Sequence, residues 1–142
     1  MECNEKKLSE EQAIVQITQK AILISPDHKV LLLKNPDGLW ELPGGRLNIN
    51  ESWEEGFRRE ILEETGLGDF IICGVVGVGN WKSSRSNDLR YGVFFCCSVD
   101  NTFVPQLSHE HSAYVWINEC DLDTYKFHLP LISEMICLAF CR

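Results

Sequence analysis

The chain of 142 residues contains no C-x-x-C pair and no grouping of cysteine with histidine at zinc-ligand spacing, although it holds seven cysteines. A zinc site or dithiol motif is thereby excluded as the organising chemistry. Cys96 and Cys97 are neighbours in an apolar run, where strand alternation sends them to opposite faces. Cys137 and Cys141 share a helical face. All are expected to be small buried apolar residues in a reducing compartment. No apolar run approaches the ~18 residues of a spanning helix, and the opening MECNEKKLSEEQ has no apolar signal core, so a cytoplasmic protein is expected. Basic charge is also scarce. Thirteen Lys and Arg face 21 Asp and Glu, a net charge of −8. Such a surface suits neither a nucleic-acid polymer nor an anionic membrane. It still admits one phosphate-bearing ligand, because a bound cation supplies positive charge locally. Repeats, low-complexity segments and a second composition are absent as well. A single domain over residues 1–142 is expected, with an ordinary 44% of apolar residues.

What is present reads as strands around one long helix. Residues 1–12 are a polar lead-in. Residues 13–25 read as a strand, Ser25-Pro26-Asp27-His28 as a turn, and residues 30–33 as a second strand pairing back in a hairpin. Asn35-Pro36-Asp37-Gly38 is another turn, and Pro43-Gly44-Gly45 a loop ahead of the helix. Residues 69–78 and 91–99 read as paired strands, with the polar, basic-leaning residues 80–90 an exposed loop between them. Residues 100–108 are irregular. Residues 113–117 form a last strand, 118–123 have turn composition, and 129–140 are apolar enough for a second helix with Pro130 in its first turn. Strands between two helices imply an α/β chain with a mixed sheet.

The long helix spans residues 52–65. Ser52 and Glu55 form a capping box, and Gly66 is a C-terminal stop. Trp53, Phe57 and Ile61 make one apolar stripe. Glu54–Arg58 and Glu55–Arg59 are expected as stabilising i,i+4 pairs on a solvated face. Glu60, Glu63 and Glu64 instead sit together at the edge of the apolar stripe, with Gly56 on the same side leaving room beside them. Like charge and desolvation both oppose ionising three close carboxylates. A divalent cation removes that conflict, and oxygen ligands suit Mg²⁺ or Mn²⁺. On the glutamates alone, a solvated acidic helix remains open.

The surrounding residues sharpen the reading. The pattern G-x5-E-x7-R-E-U-x-E-E-x-G-U, with U apolar, is met by Gly45, Glu51, Arg59, Glu60, Ile61, Glu63, Glu64, Gly66 and Leu67. This resembles the signature of the Nudix hydrolases, which cleave nucleoside diphosphates linked to another moiety. Looser resemblance extends to Trp40-Glu41-Leu42-Pro43-Gly44 and to residues 110–116.

The resemblance implies a Nudix-type α/β/α sandwich with a loop–helix–loop catalytic motif. It implies a divalent cation, Mg²⁺ with Mn²⁺ as the alternative, held by Glu60, Glu63, Glu64, Glu110 and the Gly44 carbonyl. Arg59 orients the carboxylates, and Glu51 is an accessory ligand or the charge partner of Arg59, or simply an acid favoured by the dipole at the helix entrance. The general base is Glu60 first, Glu110 second. His109 and His111 are expected at the surface, with a proton shuttle as the other reading. Trp40, Trp81 and Tyr91 could stack on a base or simply pack. Lys82, Arg85 and Arg90 could meet phosphate or keep a loop soluble. The expected partner is a small nucleotide, namely a nucleoside triphosphate, nucleotide sugar or dinucleoside polyphosphate. A homodimer is compatible with the sequence. The alternative from another class is a non-catalytic nucleotide sensor, which usually loses signature carboxylates; none is lost here.

Overall fold

The computed structural model describes residues 11–141. Most of the polar lead-in, and Cys3, lie outside the described residues. In chain order the elements are β1 (Gln16–Ile24), β2 (Val30–Lys34), β3 (Trp40–Glu41), β4 (Gly44–Arg46), α1 (Trp53–Thr65), β5 (Ile71–Lys82), β6 (Leu89–Ser98), β7 (Ala113–Ile117), a 3-10 helix over Glu119–Thr124 and α2 (Pro130–Phe140).

Alternation along β1 and β2 builds two cores. Ala21, Leu23, Leu31 and Leu33 point to one face and pack with Phe95 and Cys97 under Phe57 and Ile61 of α1. Ile22, Val30 and Leu32 point to the other face and pack with Phe94 under Ile132, Met135 and Ile136 of α2. A strand covered on both faces reads as a continuous apolar run, which is why Val30 through Leu33 carry no polar residue. The result is an α/β/α sandwich. Its sheet is mixed, because β1 runs parallel to β6 over its whole length while the other pairings between the named strands are antiparallel.

At the other edge of β1 the expected hairpin forms, but only next to its turn. β1 and β2 meet at a single registered pair, Ile24↔Val30, and then diverge. β2 takes β7 along its length. The edge of β1 so freed is occupied by β4, with Lys20 opposite Gly44 and Thr18 opposite Arg46. Gly44 and Gly45, expected in a loop, are therefore strand residues. Glycine is needed there: Gly44 has φ +138, and a Cβ on it would run into the Gln19 carbonyl.

Two further boundaries move. The β5–β6 hairpin is longer than expected, because the strands run on through Lys82 and resume at Leu89. Trp81 pairs with Arg90 in that extension, and the polar composition reflects exposure of the hairpin rather than lack of structure. The segment with turn composition at 118–123 winds into the 3-10 helix. Among the described cysteines Cys97 is buried and Cys96 half-buried on opposite sides of the sheet, but Cys73, Cys120, Cys137 and Cys141 are exposed, against the expectation of burial. Among the described residues no helix is long and apolar enough to cross a membrane.

Candidate active site

Helix α1 begins and ends where its caps dictate. Ser52 accepts from the Glu55 N–H, the Glu55 carboxylate accepts from the Ser52 N–H, and Gly66 stops the helix at φ +77. Because Glu55 is committed to the cap, the expected Glu55–Arg59 pair does not form. Glu54 and Arg58 do pair, at 3.6 Å. Arg59 turns instead to the functional side. It donates to both oxygens of Glu51 at 2.8 and 3.0 Å and to Glu60 at 2.9 Å, and it approaches Glu63 at 3.4 Å and the Arg46 carbonyl at 3.2 Å. The Arg59 hydrogen bonds hold the Glu51 carboxyl below its usual range. Of the readings for Glu51, charge partner of Arg59 is the one the geometry matches. Gly56 gives the space: a Cβ there would meet the Glu51 carboxylate and Leu47, each at 2.7 Å. The room is thus used by Glu51 rather than by the later glutamates.

Glu60, Glu63 and Glu64 leave the helix in different directions. The Glu63 side chain is 57% exposed. Glu60 lies half-buried against Gly45, where any Cβ would strike its carboxylate. Glu64 is buried and accepts the Gly44 N–H at 2.8 Å. The Gly44 carbonyl faces the Lys20 ammonium at 3.4 Å, which also donates to the Leu42 carbonyl at 3.2 Å. Burial pushes the Glu64 carboxyl up to about 7, against the opposing pull of Lys20 and the Gly44 N–H. Neighbouring Glu41 behaves oppositely. Its burial also works upward, but the His111 hydrogen bond and the nearby Lys20 charge outweigh it and hold the carboxyl at about 2.

The grouping that closes is not the three helical glutamates. Among the described residues, ligand atoms of Glu64, Glu110 and His111 all lie within 4.8 Å of one another. Glu110 and His111 come from the loop ahead of β7, so the sheet has brought a distant carboxylate onto α1. His111 is no surface residue: its side chain is 1% exposed and its Nε2 lies 2.7 Å from Glu41 Oε1. Its Nδ1 is buried without a partner. His109 is exposed, as expected. Two carboxylates and an imidazole with an unmatched buried nitrogen are a donor set that suits a divalent cation in chemistry.

Glu110 also lines a cavity of about 480 Å³ on the α2 side of the sheet. Lys20, Glu41, Trp81, Arg85 and Arg90 share its wall. Trp81 lies against Gly92, where a Cβ would meet its ring at 2.6 Å. Arg90, directly across the ladder from Trp81, has a buried Nε without a partner. Arg85 pairs with Asp37 at 3.2 Å across the rim. Trp40 instead packs edge-on against Tyr125, with ring centres 5.5 Å apart, and Tyr91 and Lys82 stand outside the cavity lining. Lys20 and Glu41 were not singled out by the sequence. The signal for each is a lone charge inside an apolar strand, which a two-faced sheet tolerates only where a partner or ligand waits.

The profile of the NUDIX domain matches residues 16–135. The chain is 26% identical over 132 residues to the CTP pyrophosphohydrolase of Escherichia coli (strain K12), covering 86% of this chain and 93% of that protein. It is 52% identical over 46 residues to a putative 8-oxo-dGTP diphosphatase of Bacillus subtilis (strain 168), a match that spans 32% of this chain and 31% of that protein. In fold it is similar to the crystal structure of a MutT protein from Methanosarcina mazei Go1, with a TM-score of 0.77 at 24% identity over 93% of this chain and 97% of that one. Matched by the NUDIX profile over most of its length, the chain belongs to the Nudix hydrolase family.

Proposed function

We propose that the chain is a divalent-metal-dependent pyrophosphohydrolase that cleaves the phosphoanhydride of a small nucleotide, with nucleoside triphosphates the first class to test. The observation that carries this reading is the convergence of Glu64 and Glu110 beside a cavity walled by Lys20, Trp81 and Arg90. Carboxylates beside a cationic, aromatic-lined pocket suit a ligand with a phosphate chain at one end and a base at the other. The similarity to a CTP pyrophosphohydrolase over most of both chains supports the nucleotide class.

Glu64, Glu110 and His111 would hold the cation, with Glu60 and Glu63 as further carboxylates on the solvent side. Bound there, Mg²⁺ or Mn²⁺ supplies charge neutralisation of the phosphate oxygens. The chain's own groups do the rest. Arg59 fixes the carboxylates of Glu60 and Glu51 in place. Glu110, exposed at the cavity wall, takes the proton from the water attacking phosphorus. The sequence ranked Glu60 first as base, but Glu60 is tied to Arg59 at 2.9 Å, which leaves Glu110 better placed. Lys20 and Arg90 meet the phosphate chain, and Trp81 stacks on the base.

The test is a panel of nucleoside triphosphates, nucleotide sugars and dinucleoside polyphosphates with Mg²⁺ or Mn²⁺, scored by phosphate released after a coupled pyrophosphatase or phosphatase. Turnover of at least one class is expected. No turnover of any member would overturn the reading.

A further inference from the structure

We propose that His111 is a nitrogen ligand of the cation, with Glu41 orienting its ring, so that the centre is a mixed imidazole–carboxylate site that prefers Mn²⁺ to Mg²⁺. The inference rests on the metal reading above and departs from the oxygen-only set that the signature implies. Glu64, Glu110 and His111 are the described side chains that bring three ligand atoms within 4.8 Å. Donors at about 2.1 Å from one ion lie about 3.0 Å apart when adjacent and about 4.2 Å apart when opposite, so the three side chains would draw together on binding.

The ring itself gives the second observation. The His111 side chain is 1% exposed. One nitrogen, Nε2, is engaged by Glu41 at 2.7 Å. The other, Nδ1, is buried and has no hydrogen-bond partner. A buried polar atom without a partner is costly and rare in folded proteins. In the neutral ring that donates Nε2–H to Glu41, Nδ1 would carry the lone pair. A carboxylate that fixes one nitrogen while the other is left free to coordinate is the usual outer arrangement of a metal-ligating histidine. A nitrogen donor favours first-row transition ions over Mg²⁺, which prefers oxygen and retains its waters.

The probe is Mn²⁺ alone, with no nucleotide. Full-length protein is loaded with one equivalent of Mn²⁺, and electron spin echo envelope modulation is recorded. Wild type should show ¹⁴N coupling from a directly bound imidazole, replaced by ¹⁵N coupling when only histidine is ¹⁵N-labelled. His111→Asn should abolish that coupling. Glu41→Gln should weaken Mn²⁺ binding by about 10–100-fold, the usual effect of losing an outer partner. The preference for Mn²⁺ over Mg²⁺ should shrink at least tenfold in His111→Asn. If that variant fails to fold, the labelled wild-type spectrum and Glu41→Gln still decide. Tightly bound Mn²⁺ without histidine coupling would overturn this inference and leave the carboxylate site standing. Absence of Mn²⁺ binding would overturn both.

Discussion

Glu64 on the last turn of α1 and Glu110 in the loop ahead of β7 bring their carboxylates within 4.8 Å of each other, although one is buried and the other exposed. The buried one can hold a cation but is poorly placed to exchange a proton with solvent. The exposed one faces the cavity. Glu110→Gln should therefore lower kcat by about 100-fold or more, the scale of a general base, with little change in Tm. A steady-state assay at saturating Mg²⁺ checks this. A kcat within twofold of wild type would return the base role to Glu60.

The same contact makes metal removal testable. Exhaustive EDTA treatment should abolish turnover, and Mg²⁺ or Mn²⁺ should restore it, while circular dichroism shows the fold retained. Full activity in chelator would sink the metal mechanism. The chain should also gain thermal stability with added cation, because an ion that binds only the native state stabilises it by mass action.

Burial of Glu64 gives stability a definite pH dependence. Its carboxyl titrates at about 7 in the folded chain against an ordinary 4.5. Between those values the native state holds a proton that the unfolded chain has released. Stability therefore falls as pH rises from about 4.5 to about 7 and then levels off, by about 3 kcal/mol in all. Glu41 works the other way. Held at about 2 when folded, its contribution is present above its ordinary 4.5 and lost as pH falls through about 2, so it is constant in the upper window. Urea unfolding in EDTA from pH 5 to 8 should show Glu64→Gln losing that decline and exceeding wild type at pH 8. Parallel curves for the two proteins would mean the carboxyl is well solvated.

Gly44 offers a test of the scaffold. Its φ of +138 and its approach to the Gln19 carbonyl leave no space for a side chain. The obstruction is backbone and cannot swing aside. Gly44→Ala should cost about 2 kcal/mol or more and should weaken cation binding as well, because the Gly44 N–H anchors Glu64. Denaturant unfolding and Mn²⁺ titration on the same samples would check both. Wild-type values in the two experiments would show that β4 can leave the edge of β1 without harm.

What was legible from sequence was local. Ser52, Glu55 and Gly66 mark the ends of α1 through hydrogen bonds within a few residues, and the strand at 113–117 falls between clear breaks. β1 and β2 were legible as apolar strands, but which of their residues face which core was not. What was hidden depends on strand exchange. Nothing near residues 43–45 says that β2 will leave β1 after one pair, take β3 on that edge, and free an edge of β1 for β4. Yet that exchange sets Gly44 against Glu64 and Lys20 beneath both. His111 was misread because its burial is set by Glu41, far away in sequence, and Glu55 because one carboxylate cannot serve the cap and Arg59 together.

Trp81 is the residue best placed to recognise the base. Its ring rests on Gly92 and forms part of the cavity wall beside the unpartnered Nε of Arg90. It also packs against the α2-side core, so its removal should act on both folding and binding. The two effects separate kinetically. Loss of a stacking face, worth about 1–3 kcal/mol per base, should raise KM for a nucleotide by about 10–100-fold in Trp81→Ala and leave kcat within a few-fold. Trp81→Phe, which keeps an aromatic face, should recover most of that KM. Inhibition by inorganic tripolyphosphate, which has no base to stack, should be nearly unchanged in both variants. A lowered Tm with unaltered KM would assign Trp81 to the core alone and send the search for the base toward Arg85 and Asp37 at the rim.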